Sequence, residues 1–241
     1  MAVTHLTSAA EVLVATDHDP YVRGRLARTD VEGWTEHGAT AWRFSDGYLM
    51  THGEPHQVGL LLESLLTELR DGQDLTVPRG TGALLPAWVG LEVKADWDFR
   101  WTSDLPPEQP REHEVVVVTD AEVAALLSVA NPDAAAQPGD RRVRRWLGVR
   151  GADGLLACGA DTSEATGVGH LSSIASHPAA RGQGLGAAVT ARLARDLFAE
   201  GCDVVTLGMY ADNVTGKALY DRLGMKERGY TSGRLRIRSR W

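Results

Sequence analysis

Seven consecutive residues, Arg181-Gly182-Gln183-Gly184-Leu185-Gly186-Ala187, have the types and spacing of an anion cradle. A strand-like run leads into them and an amphipathic helical pattern leaves them. Glycines at 182, 184 and 186 put no β-carbon in the way, so successive backbone N–H groups can turn toward one ligand. The unpaired donors and positive dipole end of the following helix favour phosphate there. A ligand carrying a pyrophosphate is the expectation. Three polar side chains flank this stretch. Asn213 and Tyr220 are seven residues apart, about two helical turns, which predicts one helix face and an end-to-end reach of about 10 Å. His170 lies upstream in a strand-like pattern, on the same predicted strand face as Ser172.

Two readings of the glycines differ in what they require around them. Gly182-x-Gly184-x-x-Ala187 satisfies a dinucleotide-binding fingerprint, but that fingerprint follows directly on a strand near the start of a βαβ unit. Here the preceding strand is expected to stop at His177-Pro178, and too little chain follows for a doubly wound sheet. Read instead as Arg181-x-x-Gly184-x-Gly186, the stretch resembles the acyl-CoA pyrophosphate loop of the GCN5-related N-acetyltransferase (GNAT) superfamily. Leu171-Ser172-Ser173-Ile174-Ala175-Ser176-His177-Pro178 looks like that family's fourth strand and its exit. Asn213 and Leu219-Tyr220-Asp221-Arg222-Leu223-Gly224-Met225 look like its last helix and the following turn. The resemblance covers residues 113 to 241.

The resemblance implies a role for each matching position. Backbone amides of Ile174, Ala175 and Ser176 would pair with pantetheine as an added strand does. Arg181, Gly182, Gln183, Gly184, Leu185, Gly186 and Ala187 would hold the phosphates, and Asn213 would hydrogen-bond the cofactor. Tyr220 would protonate the departing CoA thiolate, since a phenol with a pKa of about 10 stays protonated at neutral pH; core packing is the alternative reading. Many relatives place a glutamate base at the position aligned with Ser172, and serine cannot serve. His170, or a carboxylate from the first half, is the candidate base. The implied reaction moves an acetyl or other short acyl group from acetyl-CoA or another acyl-CoA to a small amine-bearing acceptor within a ternary complex. It needs no metal. An acyl-CoA sensor or scaffold without turnover is the competing class.

The rest of the chain must position these groups. Its 241 residues are 43% apolar and 24% charged, enough for one large core or two modest ones. Residues 1–110 hold 8 Lys/Arg against 17 Asp/Glu, net −9; residues 111–241 hold 17 against 15, net +2. An acidic half beside a basic one would suit a cationic amine, though solubility explains it equally. Neither a membrane span nor a secretory signal is expected, so the predicted location is cytoplasmic. Cys158 and Cys202 lack metal-ligand spacing and read as buried thiols. Oligomeric state is left open.

The expected class is α+β. The GNAT resemblance implies a mixed, mostly antiparallel sheet flanked by helices over 113–241. Residues 1–107 read as an N-terminal α/β domain, and in two-domain relatives such a half is a degenerate GNAT-like copy. The prolines of Leu105-Pro106-Pro107-Glu108-Gln109-Pro110 mark the boundary. In the first half, Ala39 to Phe44 and Tyr48 to Thr51 flank Ser45-Asp46-Gly47 as a hairpin. Val58, Leu61, Leu62, Leu65, Leu66 and Leu69 then predict a helix stopping near Asp71-Gly72. Five of seven tryptophans lie there, read as core or interface.

In the second half, strands are expected at Glu114–Val118, Trp146–Val149, Gly154–Ala160, His170–Ser176 and Val204–Tyr210. Helices are expected after the capping box at Thr119, from the glycine loop to Gly201, and after Asp212 or Asn213, with Val214, Ala218 and Leu223 inward. The basic run Arg141–Arg145 and the alternating Arg234, Arg236, Arg238 and Arg240 read as solvated strand positions, not a nucleic-acid surface. No internal repeat is visible.

Overall fold

A computed structural model describes residues 2–26 and 30–237; Arg238 and Arg240 of the alternating run lie outside them. Met1–Phe99, Tyr210–Asp212 and Arg228–Trp241 form one compact unit, and Arg100–Met209 with Asn213–Glu227 a second. The proline segment therefore divides the chain differently from the packing. The cause is the last strand, whose residues 230–234 pair antiparallel with 74–78 of the first half.

The described elements run β1 (Thr4–Leu6), α1 (Ala9–Ala15), α2 (Pro20–Arg25), β2 (Val31–Glu36), β3 (Ala39–Phe44), β4 (Leu49–His52), α3 (Pro55–Ser64), β5 (Asp74–Pro78) and β6 (Val89–Thr102). They continue with β7 (Val116–Val117), α4 (Asp120–Ala130), β8 (Arg145–Gly151), β9 (Gly154–Asp161), β10 (Val168–Ser176), α5 (Leu185–Ala199), β11 (Val204–Tyr210), α6 (Val214–Arg222) and β12 (Lys226–Ile237). The strand order is β1-β2-β3-β4-β5-β12-β6 in the first unit and β11-β10-β9-β8-β7 in the second. The architecture is mixed α+β.

A repeat that residue identities hide is visible in the pairing. Strands β2, β3 and β4 pair antiparallel, α3 crosses over, and β5 returns parallel to β4. Strands β8, β9 and β10 do the same, with α5 as the crossover and β11 parallel to β10.

In the second unit, α5 buries Leu185, Val189, Leu193 and Leu197 against Leu147, Val149, Ala157 and Val205. Each such aliphatic side chain contributes roughly 1.5–3 kcal/mol. The other sheet face packs on α4 through Val123, Leu126 and Leu127, with Trp146 and Cys158. Thr119 and Glu122 form the expected capping box of α4. In the first unit, α3 packs Val58, Leu61 and Leu62 on Leu49, Leu75 and Val77, and Trp42 is wholly buried.

Some expectations change in extent. Helix α3 ends at Ser64 because the chain tightens, Leu66 N bonding Glu63 O and Glu68 N bonding Leu65 O. Leu65 and Leu69 remain buried from the turns beyond. Glu112–Glu114 is a helical turn closed by the Arg111–Glu114 pair, which leaves a strand of only Val116–Val117. On α6, Val214 is 77% exposed and Ala218 is exposed; Leu219, Tyr220 and Leu223 face inward instead.

One glycine fixes how α5 meets the sheet. A β-carbon on Gly159 of β9 would lie 2.4 Å from Ile174 Cδ1 and 2.9 Å from Val189 Cγ1. Gly159→Val is expected to destabilise the protein by about 1–3 kcal/mol through overpacking, read as a lower denaturation midpoint in urea. A midpoint equal to wild type would contradict this packing.

Candidate functional site

Strand β10 carries one residue more than its partner allows. Ser172 pairs with Ala160 and Ala175 with Cys158, so Ser173 and Ile174 together oppose the single residue Gly159. Ser173 takes the left-handed conformation at φ 54°, unusual for a residue with a side chain. Its hydroxyl donates to Ala136 O at 2.9 Å and accepts from Ala136 N at 2.8 Å, which holds the bulge in place.

The bulge coincides with an opening. Parallel pairing of β10 with β11 runs from Val168–Val204 to Leu171–Leu207 and stops there. Ile174, Ala175 and Ser176 thus have β9 on one side and no β11 register on the other, which is the edge the pantetheine expectation requires. The ring of His170 lies in the closed part of the pair. Its Nδ1 is 2.9 Å from Thr206 Oγ1, opposite in register, and its backbone N–H donates to Ser163 Oγ. His170 thus lies within the paired part of β10, two residues before Ser172. Ser172 Oγ is 2.9 Å from Thr162 Oγ1.

Beyond β10, the chain makes a helical turn at Pro178–Ala180, capped by His177, and enters the glycine stretch. Gly182 and Gly184 sit at φ 77° and 76°, with open space where a β-carbon would be. Gly184 is the N-cap of α5 and supplies no side-chain acceptor, so the first-turn N–H groups of Leu185, Gly186 and Ala187 are not capped by a side chain. The eight residues from His177 to Gly184 separate strand from helix, unlike a dinucleotide turn. A β-carbon on Gly186 would stand 3.2 Å from Leu219 Cδ1 and 3.6 Å from Ser176 Oγ, so α5 starts in close packing between β10 and α6. Arg181 is exposed, and Gln183 Oε1 accepts from Arg111 Nη1 at 3.2 Å.

Helix α6 brings the remaining groups. Asn213 caps it, Oδ1 accepting from Gly216 N at 2.9 Å, and is exposed. Tyr220 is only 7% exposed; burial pushes its phenol up to about 12, while the Arg100 guanidinium acts to lower it. Arg100 is a group the sequence reading missed. It is fully buried, its Nη1 2.6 Å from Asp221 Oδ1 and its Nη2 paired with Glu227. The signal was present in Asp98-Phe99-Arg100-Trp101-Thr102, an alternation whose polar members, Asp98, Arg100 and Thr102, are all buried.

Other polar features have structural explanations. Arg144 and Arg145 both lie 3.3 Å from Asp161 Oδ2 and pair with Glu200, and Arg142 pairs with Asp140. Three of the four arginines in the basic run thus pair with carboxylates of their own unit. Burial raises the Cys158 thiol to about 12, which leaves it no nucleophile. A cleft of about 880 Å³ in the first unit, lined by Glu32, Arg43, Asp46, Arg70 and Asp74, lies apart from the glycine stretch in sequence and packing. Among the described residues there is no metal-holding cluster and no helix long and apolar enough to cross a membrane.

Comparison with known proteins follows this geometry. The model of the acetyltransferase (GNAT) family matches residues 90–225, more than half of the chain. No curated protein sequence gives a significant match. A GNAT-family acetyltransferase structure from Novosphingobium aromaticivorans is 20% identical, covering 83% of this chain and 89% of its own, with a TM-score of 0.51. A Drosophila protein, 16% identical, covers 96% of this chain and 98% of its own at a TM-score of 0.58. A GNAT-family acetyltransferase from Colwellia psychrerythraea, 14% identical, covers 97% and 100% at 0.52. These likenesses are of fold. With a family model spanning the strand opening, the glycine stretch and α6, the chain belongs to the GNAT acetyltransferase family.

Proposed function

We propose that the protein transfers an acyl group, acetyl in the first instance, from acyl-CoA to a primary amine of a small molecule by direct attack. The observation that carries this reading is the continuity of the β10 edge with an uncapped helix start. An extended ligand with amides at one end and a pyrophosphate at the other fits that succession. The amides would pair with Ile174–Ser176, and the phosphates would take the N–H groups of residues 182–187. The capping geometry of Asn213 leaves its amide NH₂ for the cofactor.

In the proposed step, the amine nitrogen attacks the thioester carbonyl carbon, the C–S bond breaks, and the sulfur takes the Tyr220 proton. The surplus proton of the new amide leaves to water. Ser172 is bonded to Thr162 and supplies no base, the feature that keeps the sensor reading as the alternative. Thiol release from acetyl-CoA over a panel of amines, amino acids and aminoglycosides separates the two, since a sensor binds without acceptor-dependent release.

Two variants test the parts. Gly184→Val places a β-branched residue at φ 76°, strained by roughly 1–2 kcal/mol, with its methyls where phosphate would approach. A folded variant that no longer gains thermal stability from acetyl-CoA is expected; unchanged affinity would remove the loop from the site.

Tyr220→Phe keeps the buried ring and deletes the proton. A fall in kcat of about 10² to 10⁴-fold with near wild-type acetyl-CoA affinity is expected where chemistry limits the rate. Because the phenol is pushed up to about 12, it stays protonated through pH 10. Wild-type kcat should therefore show no alkaline limb from Tyr220 below that pH. A limb near pH 9 that vanishes in the variant would contradict the buried phenol, and wild-type kcat in the variant would end the assignment.

A further inference from the structure

We propose that Arg100 is a positioning residue for this chemistry, its buried guanidinium clamping the last turn of α6 to the start of β12 and holding a positive charge close to Tyr220. The inference rests on the proposed role of Tyr220. Arg100 reaches Asp221, the residue directly after Tyr220, and Glu227, the second residue of β12. Between them the chain turns sharply, Gly224 N bonding Asp221 O and Met225 N bonding Tyr220 O, so the backbone around Tyr220 is held by both the turn and the clamp.

The charges around Arg100 are unequal in effect. Asp221 and Lys217 come from α6 and Glu227 from β12, with Lys217 Nζ 2.7 Å from Glu227 Oε1. The Asp221 side chain is 54% exposed and that of Glu227 28%, whereas Arg100 is wholly buried. Water screens the more exposed carboxylates more than the guanidinium, and the cation is the charge that acts on the Tyr220 phenol. Its Nε, buried, has no hydrogen-bond partner among the described residues. A buried ion pair is often no more stabilising than a well-packed apolar side chain of similar volume. Stability alone does not call for arginine here. A fixed cation beside the phenol favours loss of its proton, so Arg100 would make Tyr220 the better donor to the departing sulfur.

A double-mutant cycle tests the coupling. Arg100→Met is expected to lower kcat by about tenfold or more, with KM for acetyl-CoA within about twofold. In the Tyr220→Phe background the same change should lower kcat much less, because the group it acts through is gone. Arg100→Lys, retaining the charge, should recover part of the loss. Equal losses in both backgrounds, or a loss in KM alone, would overturn the proposal while leaving Tyr220 as the acid. Wild-type kcat in Tyr220→Phe alone would instead remove the acid and this inference with it. Should Arg100→Met fail to fold, Asp221→Asn, at the exposed end of the clamp, enters the same cycle: non-additivity with Tyr220→Phe supports the clamp and additivity overturns it.

Discussion

One extra residue in β10 is the constraint on which the site depends. Two strands in register would continue to pair until one ended. Here the surplus at Ser173 and Ile174 twists β10 where its pairing with β11 stops, and the same twist lays Ile174 over Gly159 and against α5. The cost of a left-handed serine is offset by its two hydrogen bonds to Ala136. An open strand edge is ordinarily a liability, because unpaired N–H and C=O groups invite another chain. Placed beside an uncapped helix start, it offers the extended ligand proposed above a row of unpaired amides next to free helix N–H groups.

The first unit shows what closing such a site looks like. Its α3 occupies the same place in the strand order as α5, yet only Gly53 and Glu54 separate it from β4, against eight residues before α5. Glu54 is the N-cap, in a capping box with Gln57, and Pro55 begins the helix. A carboxylate already at the positive end of the dipole disfavours a second anion there. Equal topology thus goes with opposite chemistry at the two helix starts. The difference lies in loop length and in glutamate standing where the second unit has glycine.

The sequence made the second unit legible to the extent that its signals were local. Thr119-x-x-Glu122, the apolar face of α5 and the run Val204–Tyr210 each specify an element through neighbours a few residues away. The glycine stretch was readable because φ near +76° is cheap only for glycine. What escaped depends on partners far along the chain. Arg100 meets Asp221 more than a hundred residues later, and β12 joins β5 across a similar separation. Val214 was misread because Asn213 fixes where the helix begins, so its inward positions are 219, 220 and 223. His170 has the right residue type and strand face, and its pairing with β11 is likewise a contact made far along the chain.

Burial makes the acid weaker, and this needs to fit the chemistry it is proposed to perform. A phenol pushed up to about 12 facing an ordinary thiolate, whose acid has a pKa of about 8.5, would give up its proton uphill by roughly 5 kcal/mol. The thiolate is not in an ordinary place, however. It would form beside a phenol that is itself largely withdrawn from water, and withdrawal from water disfavours a thiolate as it disfavours a phenolate. Desolvation would then raise both acids together and narrow the gap across which the proposed proton transfer runs, the direction in which general acid catalysis gains efficiency. A Tyr220 nearer the surface would be the stronger acid, but it would meet a thiolate that water already stabilises and that has less need of a proton.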